Sequence, residues 1–247
     1  MVSEPTAETA RRVALAQVVT ERKRAEMGEK LLAVACYGSV AHSAAGPHSD
    51  LELVLLTDDT LDLTYEPFMM DGVMGQCDIL PASRMLRAAS RVTRKWGVEA
   101  DQYRCHLVLW DPDDLFARVQ TAAHNLADED FTSAMAEAWW PAFEIRNKVR
   151  NALLATDAPR AVYHAWEFAY ACAMRIALHE RRPYESDRTI WTDVAGRGYA
   201  MPDLIAALTT GDLSALPAAM DAVWERTNAW GAPSADSPSP MGEGVRG

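Results

Sequence analysis

The 247-residue sequence lacks several features that would assign it to a common class. It has no run of 18 apolar residues, so we expect no membrane partner. Its four cysteines are scattered without a C-x-x-C pair, which argues against a disulfide framework and against a structural zinc site. The first residues also lack the basic, apolar and small-residue order of a secretion signal. We therefore expect a cytoplasmic protein with reduced thiols.

An excess of positive charge is missing as well. Lys and Arg number 24 against 35 Asp and Glu, and the net charge is -11. Proteins bind nucleic-acid backbones through patches of Lys and Arg. The net negative charge therefore argues against a nucleic-acid partner and suits a cationic ligand. The motif G-x-x-x-x-G-K-[ST] is absent, which excludes a P-loop.

Hydrophobic periodicity divides the chain into a mixed part and a helical part. The first part shows two helical patterns, Pro5 to Met27 and Ala82 to Ala89, and four strand patterns, Leu31 to Tyr37, Asp50 to Leu56, Val73 to Leu80 and Tyr103 to Trp110. Beyond Asp111 all patterns are helical: Leu115 to Leu126, Phe131 to Leu154, Ala158 to His179 and Leu213 to Trp230. We predict an α+β domain over residues 1–127, an all-α bundle over 128–230 and a disordered tail over 231–247.

Two acids at the second predicted strand, Asp50 and Glu52, carry the chemistry. Side chains alternate along a strand, so these two project together while Leu51 turns to the core. Neighbouring carboxylates repel each other unless a cation lies between them, and Mg²⁺ prefers such oxygen ligands. The spacing therefore predicts a magnesium site.

A phosphate cradle is predicted beside these acids. Gly38 permits a tight turn, after which the amide and hydroxyl of Ser39 can donate to a phosphate oxygen, and Ser49 can donate a second time. An isolated Asp-x-Glu pair also occurs commonly as two surface acids on an edge strand. The Gly-Ser turn about ten residues before the pair favours the metal site instead. Asp78, on the next strand, is either a third carboxylate or an ordinary acid at a strand end.

These residues resemble a known family. Gly38-Ser39 followed by Asp50-x-Glu52 resembles the signature of the polymerase-β nucleotidyltransferase superfamily. The wider runs Tyr37-Gly-Ser-Val, Gly46-Pro-His-Ser-Asp-Leu-Glu and Lys148-Val-Arg-Asn resemble the kanamycin nucleotidyltransferase family of aminoglycoside 4′-nucleotidyltransferases. The resemblance implies an enzyme that uses ATP and Mg²⁺ to transfer AMP to an aminoglycoside such as kanamycin or tobramycin, as a homodimer with a shared active site.

The resemblance also implies roles for residues of the helical part. Glu144 is the expected general base for the sugar hydroxyl, and Lys148 is expected to bind the nucleotide phosphate. Without the resemblance, their spacing of four is typical of an ion pair on an exposed helix. Asp78, Glu66 and Trp140 are candidates for substrate binding, although the acidic run that contains Glu66 is also typical of a solvated loop.

The chain departs from the family pattern at two places. His42 stands where the family carries an arginine near the phosphates, so a positive contact is either weakened or supplied from elsewhere. Trp140-Pro141 replace acids that help to hold the drug, which affects the substrate range. Two alternatives stay open: a nucleotidyltransferase of another acceptor, such as a protein or a different antibiotic, and a nucleotide-binding regulatory module without catalysis.

Overall fold

The computed structural model of the protein describes residues 6–186 and 188–233. The chain forms two compact units. The first comprises Met1–Arg91 with Glu99–Leu126, and the second comprises Val92–Val98 with Ala127–Gly247. Segment 92–98 therefore belongs to the second unit, although it precedes part of the first in the sequence.

The first unit is built on a five-stranded sheet with the strand order β3-β4-β2-β1-β5. Strands β2 and β4 are parallel, and the other neighbours are antiparallel. The elements up to residue 126 are, in chain order, α1 (Ala7–Met27), a 3-10 turn (Gly28–Lys30), β1 (Leu31–Cys36), α2 (Gly38–Ala41), β2 (Leu51–Thr57), β3 (Thr64–Met70), β4 (Val73–Pro81), α3 (Ala82–Ala89), α4 (Trp96–Glu99), α5 (Asp101–Arg104), β5 (Leu107–Trp110) and α6 (Leu115–His124). The first three residues of α4 belong to the second unit.

Helices cover both faces of this sheet. Since side chains alternate along a strand, Leu53 and Leu55 of β2 pack with α1, while Val54 and Leu56 pack with α3 and α6. All four of these side chains are almost fully buried. The double burial explains why β2 is apolar through its middle, with its acid confined to the end where the strand begins.

The described part of the second unit contains five long or medium helices: α7 (Asp128–Leu154), α8 (Ala158–Glu180), α9 (Ile190–Arg197), α10 (Met201–Thr210) and α11 (Leu216–Thr227). Helix α8 is its centre, with Phe168, Cys172 and Ile176 at 0% exposure. The side chain of Asp157 accepts the N–H of Arg160 and so caps the start of α8.

The predicted fold class, an α+β unit followed by a helical one, is confirmed. Strand β3 was not predicted, because Pro67 and the exposed position of this edge strand break the expected pattern. Tyr103 lies in α5, and β5 begins only at Leu107. Helices α9 and α10 were not predicted either. Residues 234–247 of the predicted tail lie outside the described residues. No helix in the described part is long and apolar enough to span a membrane.

Candidate functional site

Gly38 brings a tight turn against the carboxylate of Glu52. It begins α2 with a φ of +62°, and a Cβ placed on it would overlap with Oε2 of Glu52. The N–H of Tyr37 donates to the carbonyl of Glu52 at 3.2 Å, so β1 and β2 stay paired up to this turn. Glycine is required here both by the positive φ and by the close approach of Glu52.

Asp50 lies just before β2, and the fully buried Leu51 separates it from Glu52. Both acids are partly exposed, as expected when they project away from the core. Within the described part of the chain, the carboxylate of Asp50 has no hydrogen-bond or ion-pair partner. Its oxygens are therefore available to an external cation.

Ser49 closes the loop that leads to Asp50. Its N–H donates to the carbonyl of Gly46 at 3.1 Å, and its Oγ accepts the N–H of Gly46 at 2.9 Å. The hydroxyl hydrogen of Ser49 can still be donated to a ligand.

The same loop is held by a buried arginine of α1. Arg12 is 1% exposed and donates to the carbonyl of Ser49 from Nε at 2.9 Å and from Nη2 at 2.7 Å. Nη2 also donates to the carbonyl of Pro47 at 3.2 Å, and Nη1 pairs with Glu8 at 2.5 Å. The position of Asp50 therefore depends on a side chain from the first helix.

Two threonines of α1 extend this clamp. Thr6 donates its hydroxyl to the carbonyl of Ala45 at 2.9 Å, and Thr9 accepts the N–H of Ala45 at 3.2 Å. These contacts were not predicted from the sequence, because the apolar periodicity of the helix does not include its polar residues. The available signal was that Thr9 and Arg12 continue the buried stripe of α1 at helical spacing.

Asp78 lies on the same sheet face as Glu52, because Glu52 is paired with Gln76 in the parallel register of β2 and β4. Its Oδ2 accepts the hydroxyl of Tyr37 at 2.7 Å, and Tyr37 in turn accepts from Nε2 of Gln76 at 2.9 Å. Burial and the bond to Asp78 raise the pKa of Tyr37 far above its ordinary value, so the phenol stays protonated. Asp78 is thus held within a hydrogen-bonded network.

The carboxylates fit a magnesium ion that shares its coordination with substrate. Among residues 6–186 and 188–233, no group of three or more His, Cys, Asp or Glu side chains could hold a metal ion. Asp50 and Glu52 would supply two hard oxygen ligands, and Mg²⁺ commonly fills its other positions with waters and substrate phosphates. The donor set therefore suits a metal that arrives with a nucleoside triphosphate.

His42 ends α2 and pairs with Asp101. Its Nε2 lies 2.9 and 3.0 Å from the two carboxylate oxygens, and Sγ of Cys105 lies 3.7 Å from its Nδ1. The hydrogen bond to Asp101, with a smaller contribution from Cys105, raises the pKa of His42 from 6.5 to about 10. At neutral pH we therefore expect His42 to be protonated and to form an ion pair with Asp101.

Glu66 is not brought together with Glu52. It is paired in register with Cys77 on the face of the sheet that packs with α1, which is opposite to the face of Gln76 and Asp78. Its carboxylate forms an ion pair with Lys23 of α1 at 2.6 Å.

Glu144 and Lys148 lie one turn apart on α7 in the second unit, with 2.9 Å between Oε1 and Nζ. Their side chains are 53% and 45% exposed, which is the geometry of a surface ion pair. Trp140, one turn before Glu144, is 42% exposed and packs near Phe143, with 5.7 Å between ring centroids. The catalytic roles of these residues remain predictions.

Comparison with known proteins supports one family. The model of the KNTase C-terminal domain matches residues 113–234. Two curated relatives, each named aminoglycoside nucleotidyltransferase (4'), from Staphylococcus aureus and from a Bacillus species, are 23% identical over 184 residues, covering 74% of this chain and 72% of each relative. These matches confirm the predicted resemblance to the kanamycin nucleotidyltransferase family.

A solved structure has a similar fold. The nucleotidyltransferase-like protein from Exiguobacterium sibiricum superposes with a TM-score of 0.53 over 86% of this chain and 74% of its own. Because the two sequences are only 12% identical, this likeness concerns the fold alone.

Proposed function

We propose that this protein transfers AMP from ATP to a hydroxyl of an aminoglycoside such as kanamycin or tobramycin, with release of pyrophosphate and inactivation of the drug. The 4′ hydroxyl is the expected acceptor, in line with the names of the two curated relatives. One observation carries the proposal: the Glu52 carboxylate lies against Gly38. Asp50, two residues before Glu52, is unpaired among the described residues.

Asp50 and Glu52 would bind magnesium together with the triphosphate. When bound, the metal would neutralise negative charge on the phosphates. Ser39 and Ser49 would donate hydrogen bonds to phosphate oxygens, and the protonated His42, paired with Asp101, follows the short helix that begins at Gly38. The resemblance alone leaves open whether the residue at position 42 is positively charged.

Glu144 would accept the proton of the attacking hydroxyl, and Lys148 would stabilise the negative charge on the α-phosphate. Without substrate, the two side chains form an ion pair with each other. Binding of substrate must therefore separate the pair, which costs little because both side chains are half exposed.

Mass spectrometry of tobramycin incubated with ATP, Mg²⁺ and the protein tests the proposal. We expect a product heavier by one AMP unit, and its absence would overturn the aminoglycoside assignment. Asp50→Asn should lower the rate at least about 100-fold by removing a metal ligand. Asp62→Asn, which changes an exposed acid outside the site, should retain the rate.

A second pair of variants tests the base. Glu144→Gln should slow the transfer by about 10²- to 10⁴-fold and leave the affinity for ATP unchanged, as loss of a general base does. Glu129→Gln, an exposed acid in the first turn of the same helix, is the matched control. Unchanged turnover of Glu144→Gln would exclude this residue as the base.

A homodimer with a shared active site is part of the proposal. If the metal ligands and the base of one site come from different chains, a mixture of Asp50→Asn and Glu144→Gln proteins regains part of the lost activity. If both come from one chain, the mixture stays as inactive as its components.

The alternative function is nucleotidyl transfer to another acceptor. It is favoured by Trp140 and Pro141, which stand where the family carries acids that hold the drug. The same incubation separates the two functions, since this alternative predicts metal-dependent ATP binding without an aminoglycoside product.

A further inference from the structure

A cavity of about 500 Å³ lies within the second unit, beside the proposed base. Its walls come from α7, from α8 and from segment 92–95. Ile145, which directly follows Glu144, lines it. The volume falls in the range of sites for small molecules, about 300 to 1,000 Å³.

The floor of the cavity is apolar and partly aromatic. Pro141 and Ile145 of α7 line it together with Trp166 and Met174 of α8. The ring of Trp166 is fixed by an edge contact with Trp191, with 5.0 Å between centroids. A fixed indole and a proline ring form a surface on which a planar ring can stack without a large loss of side-chain freedom.

Two cations, Arg94 and Lys95, also line the cavity, and both are exposed. Among the residues that the structure describes, neither side chain has an ion-pair partner. The acid of the lining, Glu167, is engaged, because it accepts from Nδ1 of His164 at 2.8 Å and from the hydroxyl of Tyr163.

This charge distribution is opposite to that of the whole chain, which carries a net charge of -11. A polycation would meet two cations, Arg94 and Lys95, against one carboxylate of the described lining, Glu167, which already accepts two hydrogen bonds. An anion with an apolar body would instead find two cationic donors and a largely apolar lining.

We infer that this cavity binds a planar aromatic anion, whose ring lies against Trp166 and Pro141 and whose phosphate, carboxylate or sulfonate is held by Arg94 and Lys95. Such a ligand has two possible sources: the adenine nucleotide of the proposed reaction, or a separate aromatic acid. The inference does not depend on catalysis, since it concerns binding to the second unit.

Isothermal titration calorimetry in EDTA tests it, because removal of divalent ions excludes binding through Asp50 and Glu52. The probes are 2-naphthoate and ATP. We expect 2-naphthoate to bind the full chain and to lose at least about tenfold in affinity in the double variant Arg94→Gln, Lys95→Gln. Ala171→Phe, which fills the cavity from α8, should abolish binding.

The matched control is Arg87→Gln with Arg226→Gln, two exposed arginines outside the cavity, and it should bind like the wild type. Circular dichroism and Tm establish that each variant is folded. If ATP displaces 2-naphthoate and its own affinity falls in the same variants, the natural ligand is the nucleotide. If 2-naphthoate binds and ATP does not displace it, the natural ligand is a separate aromatic acid.

Three results would overturn the inference. They are no binding of either probe to the wild type, equal binding to the wild type and to both cavity variants, and displacement of 2-naphthoate by tobramycin. A missing aminoglycoside product in the transfer assay would leave it untouched, so the two proposals fail separately.

Discussion

The predicted site residues of the two units are held in different ways. In the first unit, the loop before Asp50 is held by a 1% exposed arginine, and the Glu52 carboxylate is seated against a glycine with positive φ. In the second unit, Glu144 and Lys148 form a half-exposed ion pair on the surface of a helix.

This difference separates residues that determine stability from residues that affect activity alone. Buried groups that keep a loop in one conformation contribute to the free energy of unfolding, because their removal leaves buried carbonyls without donors. An exposed pair contributes little, about 0.3 to 0.5 kcal/mol. We expect the residues of the first unit to be preorganised for their ligand and those of the second to rearrange when substrate binds.

The largest effect is expected for Arg12→Met. Loss of the guanidinium leaves the carbonyls of Ser49 and Pro47 without their donors and should lower the free energy of unfolding by about 3 kcal/mol. Urea unfolding measures it. Arg22→Met, at an exposed position of the same helix, should change stability by less than about 0.5 kcal/mol. Equal stability of the two variants would show that the clamp is dispensable.

Gly38→Ala should have the next largest effect. Its Cβ would clash with Oε2 of Glu52, so we expect a loss of about 2 kcal/mol and of metal-dependent activity. Gly28→Ala is a matched control, because Gly28 has a φ of +58° but no described atom within 4 Å of the place where its Cβ would lie. That control isolates the backbone strain, and similar activity in both variants would contradict the close seat of Glu52.

His42→Gln should have a smaller effect that depends on pH. The pKa of His42 is raised to about 10 in the folded protein, so its stabilisation is complete below about pH 6.5 and is lost as the pH rises through 10. We expect a loss of about 1 to 2 kcal/mol at pH 6, after allowance for partial exposure, and almost none above pH 10. Urea unfolding of both proteins at pH 6, 8 and 10 measures this, and a constant difference would argue against a protonated His42.

Lys148→Met should have the smallest effect on stability. The lost ion pair is exposed, so the free energy of unfolding should change by less than about 0.5 kcal/mol, while turnover falls at least about tenfold if the lysine binds the phosphate. Thermal unfolding and the tobramycin assay together measure this split. Normal turnover of Lys148→Met would show that Glu144 and Lys148 form an ordinary surface ion pair without a catalytic role.

The sequence predicts what depends on neighbours along the chain. Alternation in one strand sufficed to place Asp50 and Glu52 around a buried Leu51, and periodicity sufficed for α3 and most of α7 and α8. It fails where partners are distant. Asp101, which keeps His42 protonated, is 59 residues away, and the carbonyl held by Arg12 is 37 residues away.

The edge strand β3 and the assignment of segment 92–98 were also not predictable from local patterns. Strand β3 has a proline and one exposed face, so its signal is weak. Segment 92–98 belongs by contact to the helical unit, and no local feature of its sequence indicates that. The cations of the cavity, Arg94 and Lys95, were therefore missed as neighbours of α7.

The attachment of the Asp50 loop to α1 has a consequence for folding. Thr6, Thr9 and Arg12 supply hydrogen bonds to the loop, so we expect the loop to reach its final shape only when the first helix docks on the sheet. Capacity to bind a divalent ion would then appear together with helix docking rather than with formation of the strands. In refolding experiments, the onset of magnesium-dependent ATP binding would time that docking event.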